Sequence, residues 1–229
     1  MHVPNGFFDV PTSVATGVVA VAGVAVALRG ARRELDDKTA PMAGLVATFV
    51  FAGQMMNFPV GAGTSGHLLG GALAAVLAGP WTAVLCISVV LGVQALFMAD
   101  GGITALGTNI TLMGLVGVAV AWLVFRGVQA VLPNRLSMVA PAAAVAAFVS
   151  VPVVALAFTG LFAIGGTAPV AMDDVLVAMV GWHTLIGIGE AVITGLVVAS
   201  VVAVRPDLVY GARRALRERP LEIRTVVPS

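Results

Sequence analysis

Charge is scarce in this chain. Lys, Arg, Asp and Glu together make up 10% of its 229 residues, where a soluble domain carries about 25%. Cysteine is scarcer still: the single Cys86 excludes a disulfide framework or a cysteine-rich metal site within one chain. There are three histidines and one tyrosine. No Gly-rich phosphate-binding loop of the Walker type is present, so any ATP hydrolysis falls to another chain. No basic residue precedes Arg29, which excludes the positive n-region of a cleaved signal peptide. What the chain has in abundance is apolar residues, at 59%, and its mean hydropathy is +1.06. That excess is expected to face lipid. The fold class read from it is all-α, a polytopic membrane helical bundle, and no nucleic-acid partner is expected.

Seven apolar segments run over roughly 11–28, 39–57, 66–79, 81–98, 103–125, 138–164 and 174–204. The third is short of the roughly 20 residues a crossing needs. It is therefore expected to begin below the membrane surface, after an irregular piece, 58–65, tolerated at such depth because protein buries it or it lines a cavity. The charges give the orientation. If the N-terminus is outside, the inner segments hold all 12 Lys and Arg: Arg29, Arg32, Arg33, Lys38, Arg126, Arg135, Arg205, Arg213, Arg214, Arg217, Arg219 and Arg224. The outer segments carry only Asp9, Asp100, Asp173 and Asp174. The positive-inside rule then predicts seven transmembrane helices, N-terminus outside and C-terminus inside. Residues 1–204 form the membrane domain, and 205–229 form a basic cytoplasmic tail held against anionic lipid.

The candidate chemistry begins at Met1-His2. Met aminopeptidase removes Met only ahead of small residues, so His2 leaves Met1 in place. The pair then offers the α-amine, the His2 amide nitrogen and the His2 imidazole Nδ1 to one cation, closing a five- and a six-membered chelate ring. With His67 as a fourth nitrogen the set favours Ni(II) or Cu(II) and accommodates Co(II). Residues 1–10 must fold into the bundle for this, and Val3, Pro4, Asn5-Gly6, Phe7 and Phe8 suit an apolar strap with a turn. In the last segment, His183 and Glu190 are intramembrane polar groups seven residues apart, about 10.5 Å along a helix. They do not reach each other, and each needs a partner elsewhere as a polar clamp or as support for a metal site. Gln54, Asn57, Gln94 and Asn109 are expected to hydrogen-bond between helices. The scattered methionines, including Met42, Met55, Met56, Met98 and Met113, read as packing. Thr64 and Ser65 are expected to cap the third helix, with Gly66 and Gly70 on a close-packing helical face.

Two resemblances bear on function. The Gly63-Thr64-Ser65-Gly66 piece is similar to the nucleophile motif of rhomboid intramembrane serine proteases, with Ser65 as nucleophile and His183 as base. The Trp-Arg pair and the His-x-x-x-Asn motif of that family are missing. A far longer match is to the CbiM/NikM substrate-capture proteins of energy-coupling factor cobalt and nickel importers. Met1-His2-Val3-Pro4-Asn5-Gly6-Phe7 resembles that family's start. Asn57-Phe58-Pro59-Val60, Gly63-Thr64-Ser65-Gly66-His67-Leu68-Leu69-Gly70-Gly71, Ala99-Asp100-Gly101-Gly102-Ile103-Thr104-Ala105-Leu106-Gly107 and Ile186-Gly187-Ile188-Gly189-Glu190-Ala191 resemble its other signature stretches.

The resemblance implies a non-catalytic subunit with no prosthetic group, in a bacterial cell membrane, that binds Co(II) or Ni(II) from outside through Met1, His2 and His67. Asn57, Ser65, His183 and Glu190 would stand behind those ligands. It also implies a transmembrane coupling subunit, two cytoplasmic ATPases and, in many relatives, a small accessory membrane subunit. Ala43-x-x-x-Ala47 is a candidate coupling face. Two residues depart from the family pattern: Val3 stands where Ile is usual, and Asn5 where Asp is common, removing a negative charge near the entrance.

Overall fold

The structure is a computed structural model that describes residues 1–37, 39–61 and 64–217. Lys38, Gly63, Arg219 and Arg224, named above, lie outside the described residues. The helices are α1 (Val10–Ala31), α2 (Ala40–Gln54), α3 (Gly71–Ala78), α4 (Pro80–Phe97), α5 (Leu106–Asn109), α6 (Val118–Val131), α7 (Val139–Gly165), α8 (Met172–Val204) and the short α9 (Arg213–Arg217). A π-helical stretch, Ile110–Gly117, joins α5 to α6 as one continuous rod, and 3₁₀ turns at Leu136–Met138, Pro206–Leu208 and Tyr210–Ala212 precede α7 and α9. Strands β1 (Phe58–Gly61) and β2 (Thr64–Gly66) make a small antiparallel hairpin ahead of α3.

Five spans are long and apolar enough to cross a membrane: Val10–Ala31, Pro80–Phe97, Leu106–Val131, Leu136–Gly165 and Met172–Val204. At 1.5 Å per residue, the 22 residues of α1 extend about 33 Å. Val14, Val18 and Val21 lie on its outer surface, 59%, 65% and 72% exposed. An apolar stripe of that kind is unfavourable in water and satisfied in lipid. The protein is a membrane-embedded, multi-pass helical protein.

The remaining apolar segments give shorter helices. The 15-residue α2 falls short of a full crossing by length. In α3 all eight residues are buried, so this helix touches protein on every side. Small side chains permit that: Ala72, Ala74, Ala75 and Ala78 are each at most 3% exposed, and Gly71 lies against the backbone of Gly117.

Local structure around α3 corrects three expectations. Residues 58–61 and 64–66 are a hairpin and not an irregular piece, so Gly66 and Gly70 do not share a helical face. Thr64 and Ser65 do not cap α3, which starts five residues beyond the end of β2 with Gly70 at its N-cap. Gly70 has φ +75°, and a Cβ there would stand 2.7 Å from Val50 Cγ2. A left-handed turn pressed against α2 therefore replaces a helical cap. The fifth segment also runs further than expected, to Val131, so Arg126 sits in the last turns of α6.

Candidate metal centre

The N-terminal segment folds inward as a strap. Val3 is held at both of its peptide groups: its N–H donates to Asn109 Oδ1 (2.8 Å), and its carbonyl accepts from Asn109 Nδ2 (3.2 Å) and Gly102 N (2.8 Å). Asn5 Oδ1 accepts from Thr104 N (3.0 Å) and Thr104 Oγ1 (2.8 Å). A Cβ on Gly102 would fall 2.4 Å from Asn5 N, so the strap's close seat on this loop requires glycine there. Beyond Gly6, the Phe7 carbonyl accepts from Thr167 N (3.0 Å) and Asp9 N donates to the Gly165 carbonyl (2.8 Å). Phe7 and Phe8 pack on Phe158 and Phe162 of α7, with ring centroids 5.4–6.5 Å apart. Asp9 Oδ1 then caps α1 by accepting from Thr12 N (2.8 Å).

This anchoring delivers Met1 and His2 to the interior. Met1 is 1% exposed, His2 6% and His67 0%. The Met1 amine donates a short hydrogen bond to the Ser65 carbonyl. Burial lowers the pKa of that amine from 8.0 to about 4, against the opposing pull of Asp100. The amine is therefore a neutral lone-pair donor at neutral pH. The His2 and His67 rings stack, 4.2 Å between centroids and 20° between planes.

The ring nitrogens are the informative atoms. His67 Nδ1 lies 2.7 Å from the Leu68 carbonyl. A carbonyl only accepts, so Nδ1 carries the proton and Nε2 presents its lone pair. That Nε2 is buried without a hydrogen-bond partner. His2 Nδ1 is 2.9 Å from Asp100 Oδ1, an ion-pair distance without hydrogen-bond alignment, and both His2 ring nitrogens lack hydrogen-bond partners. Buried polar atoms are nearly always satisfied. Two orphaned imidazole nitrogens, His2 Nε2 and His67 Nε2, on a stacked pair beside a buried terminal amine, with His2 Nδ1 facing Asp100, make a candidate donor set for a borderline cation.

The surroundings hold the ligands in place. Burial raises the Asp100 pKa, but His2, the Met1 amine and Asn57 outweigh it and hold the carboxyl below the usual range. Asn57 Nδ2 donates to Asp100 Oδ1 (3.1 Å). The turn that carries His67 is tied from two helices. Gln54 Nε2 of α2 donates to the Leu69 carbonyl (2.8 Å), while Glu190 of α8 accepts from Leu69 N at Oε2 (2.7 Å) and Gly70 N at Oε1 (2.8 Å). His183, fully buried on α8, bonds through Nδ1 to its own Met179 carbonyl (2.7 Å) and leaves Nε2 unpartnered. It lies within electrostatic reach of His67 and the Met1 amine.

Several expectations change here. Neither nitrogen of His183 pairs with Ser65, and the Ser65 carbonyl is occupied by the Met1 amine. The protease reading has no dyad and is withdrawn. Gln54, Asn57 and Asn109 do not bond helix to helix. They bind the His67 turn, Asp100 and the strap backbone. Asn5 acts as a tether through its carbonyl oxygen, a role a carboxylate would also fill. Asp100 was read only as an outer-side acid, because an acid in a loop carries no signal of what it meets. Among the described residues no group of three His, Cys, Asp or Glu side chains could hold a metal.

Comparison with known proteins identifies the family. A family described as cobalt uptake substrate-specific transmembrane region, CbiM, matches residues 2–208. This chain belongs to the CbiM family. Among curated relatives of this CbiM-family chain, a putative metal transport protein of Haloquadratum walsbyi is 36% identical over 92% of this chain and 94% of its own length. A putative fused nickel transport protein NikMN of Archaeoglobus fulgidus is 38% identical over 91% of this chain and 68% of its own length. A cobalt transport protein CbiM of Sorangium cellulosum is 34% identical over 91% and 94%. A solved crystal structure of a truncated transition metal transporter superposes with TM-score 0.82 at 29% identity, covering 89% of this chain and 99% of that one.

Proposed function

We propose that this chain is the capture subunit of an ATP-driven importer of Ni(II) or Co(II). The ion is its cargo, held by the Met1 amine, the deprotonated His2 amide, His2 Nδ1 and His67 Nε2. The single observation that carries the reading is the set of buried, unpartnered imidazole nitrogens beside a neutral terminal amine. Binding exchanges the His2–His67 stack for coordination and requires the His2 ring to turn Nδ1 away from Asp100. Glu190, Gln54, Asn57 and Asp100 position the ligands without touching the ion, and Ser65 receives the amine in the empty state. Four nitrogens in a near-planar set suit Ni(II) and accommodate Co(II).

All seven apolar segments cross or enter the bilayer, with the strap outside and the arginine-rich end inside, in line with the positive-inside rule. The chain catalyses nothing itself. A transmembrane coupling subunit and two cytoplasmic ATPases supply the energy, with a small accessory membrane subunit in some assemblies. The fused NikMN relatives support a multi-component system. Ala43 and Ala47, both half-buried on α2, stay the candidate coupling face, with the Ala43 carbonyl also accepting from Cys86 Sγ of α4 (3.5 Å).

Acetylation of the Met1 amine tests the site. It removes the amine's lone pair from the chelate while leaving every side chain in the protein and adding no new nitrogen ligand. Nickel and cobalt binding by calorimetry is expected to fall by about 100- to 1,000-fold, the share of one ligand in the roughly 10–16 kcal/mol of a four-ligand site. Unchanged affinity in the acetylated chain would overturn the assignment.

A further inference from the structure

At the opposite end of the bundle from the strap lies a second feature that metal capture does not use. Arg33, after α1, Arg126 of α6, and Arg213, Arg214 and Arg217 of α9 surround a cavity of about 640 Å³ whose remaining lining is Trp122, Tyr210 and Gly211. Five guanidiniums face one space, and none of its described lining residues is a carboxylate. Glu34, Asp36 and Asp207 share a neighbouring cavity with Arg33, Arg213 and Arg217, and two of these acids carry several hydrogen bonds. Glu34 accepts from Trp81 N (3.2 Å), Thr82 N (2.7 Å) and Thr82 Oγ1 (2.9 Å). Asp207 takes a bidentate pair from Arg205 (3.0 and 2.8 Å).

The wall is built to hold these charges in place. The Arg213 guanidinium lies over the Tyr210 ring (4.5 Å to its centroid) and donates from Nη2 to the Glu34 carbonyl oxygen (3.2 Å). Arg126 stands over Trp122 (6.0 Å). Gly211 closes the floor: a Cβ there would meet Phe125 Cζ at 2.7 Å. An excess of positive charge concentrated at the end of a membrane bundle attracts an anion. Guanidinium forks match phosphate oxygens, and basic pockets between helices on the cytoplasmic side suit anionic headgroups. Trp and Tyr at that level belong to the interfacial belt.

We propose that this cavity is a binding site for a phosphate group, supplied by the headgroup of an anionic phospholipid. The site rests on the chain being embedded in a membrane and is independent of the metal reading. Lipid bound there cross-links the ends of α1 and α6 to the segment after α8.

The test uses the full chain in nanodiscs of phosphatidylcholine with and without phosphatidylglycerol, followed by native mass spectrometry, and compares it with the combined variant Arg33→Gln, Arg126→Gln and Arg217→Gln. These three side chains are exposed at the cavity rim, so the fold is expected to survive; thermal unfolding of the variant checks this. The unaltered chain is expected to retain phosphatidylglycerol through detergent extraction. The variant should bind it about a hundredfold more weakly, each arginine near an anionic surface being worth roughly a factor of five. A further variant, Arg126→Lys, keeps the charge and should retain most of the binding. Inorganic phosphate alone gives the third arm: competition at low concentration keeps the phosphate site but assigns it to a free anion. Equal lipid retention by the triple variant would overturn the proposal. So would lipid binding that appears only after residues 218–229 are removed, since the tail would then be the occupant.

Discussion

Glu190 and Glu34 are two buried carboxylates doing the same local work at different levels of the bundle. Each lies at the start of a helix it does not belong to. Glu190 receives the Leu69 and Gly70 amides ahead of α3, and Glu34 receives the Trp81 and Thr82 amides at the start of α4. In both cases otherwise orphaned N–H groups at a helix N-terminus find a carboxyl acceptor. What differs is the neighbour. Glu190 supports the turn that carries His67, beside unpartnered imidazole nitrogens. Glu34 also accepts the Thr82 hydroxyl, and its main-chain carbonyl is tied to Arg213. The two show that a buried acid in a membrane helix bundle does not by itself mark a functional site. The orphaned atoms around it do.

That comparison can be broken by substitution. Glu190→Gln offers one carbonyl oxygen to two buried N–H groups, leaves one of them without an acceptor and loosens the His67 turn. Nickel affinity, read by calorimetry, is expected to fall about 10–100-fold, the usual range for residues that orient a metal ligand. Glu34→Gln makes the same chemical change at α4. It is expected to cost about 1–3 kcal/mol of stability in thermal unfolding with nickel affinity unchanged. Equal losses of nickel affinity in the two variants would show that both act through general destabilisation. The smallest effect is in protons. The folded Met1 amine titrates near 4 and a free terminus near 8.0, so docking of the strap is favoured as pH rises through that interval and is lost as pH falls towards 4. At neutral pH the amine should contribute no proton to those released on metal binding, which calorimetry in buffers of different ionisation enthalpy measures. Release of the amine's proton at pH 7 would place the strap in solution before capture.

Much of this architecture is legible in the sequence, because lipid imposes a simple pattern. The seven apolar segments reappear in order as helical segments, with boundaries that shift at the 58–66 hairpin and at the end of the fifth, which runs on to Val131. The hairpin at 58–66 was not legible: Pro59 and the glycines around it suggest loop, and its pairing depends on backbone bonds that composition does not encode. The gathering of Met1, His2 and His67 follows from chelate chemistry together with an apolar strap. Asn109 and Asp100 carry no such signal, since their partners are 106 and 98 residues away. Glu34 was equally silent, an acid in a short loop whose role appears only once α4 is seated over it.

The strap has one consequence for biogenesis. Its anchors are Asn109, Gly165 and Thr167, and the turn it completes is held by Glu190. A nascent chain, emerging at about 5–20 residues per second, exposes its first residues long before any of these anchors exist. The strap is therefore among the last segments to reach its place, and the proposed site cannot close until the final long helix has been threaded into the bilayer. Metal held at that site would be a certificate of completed assembly, unavailable to a half-inserted chain.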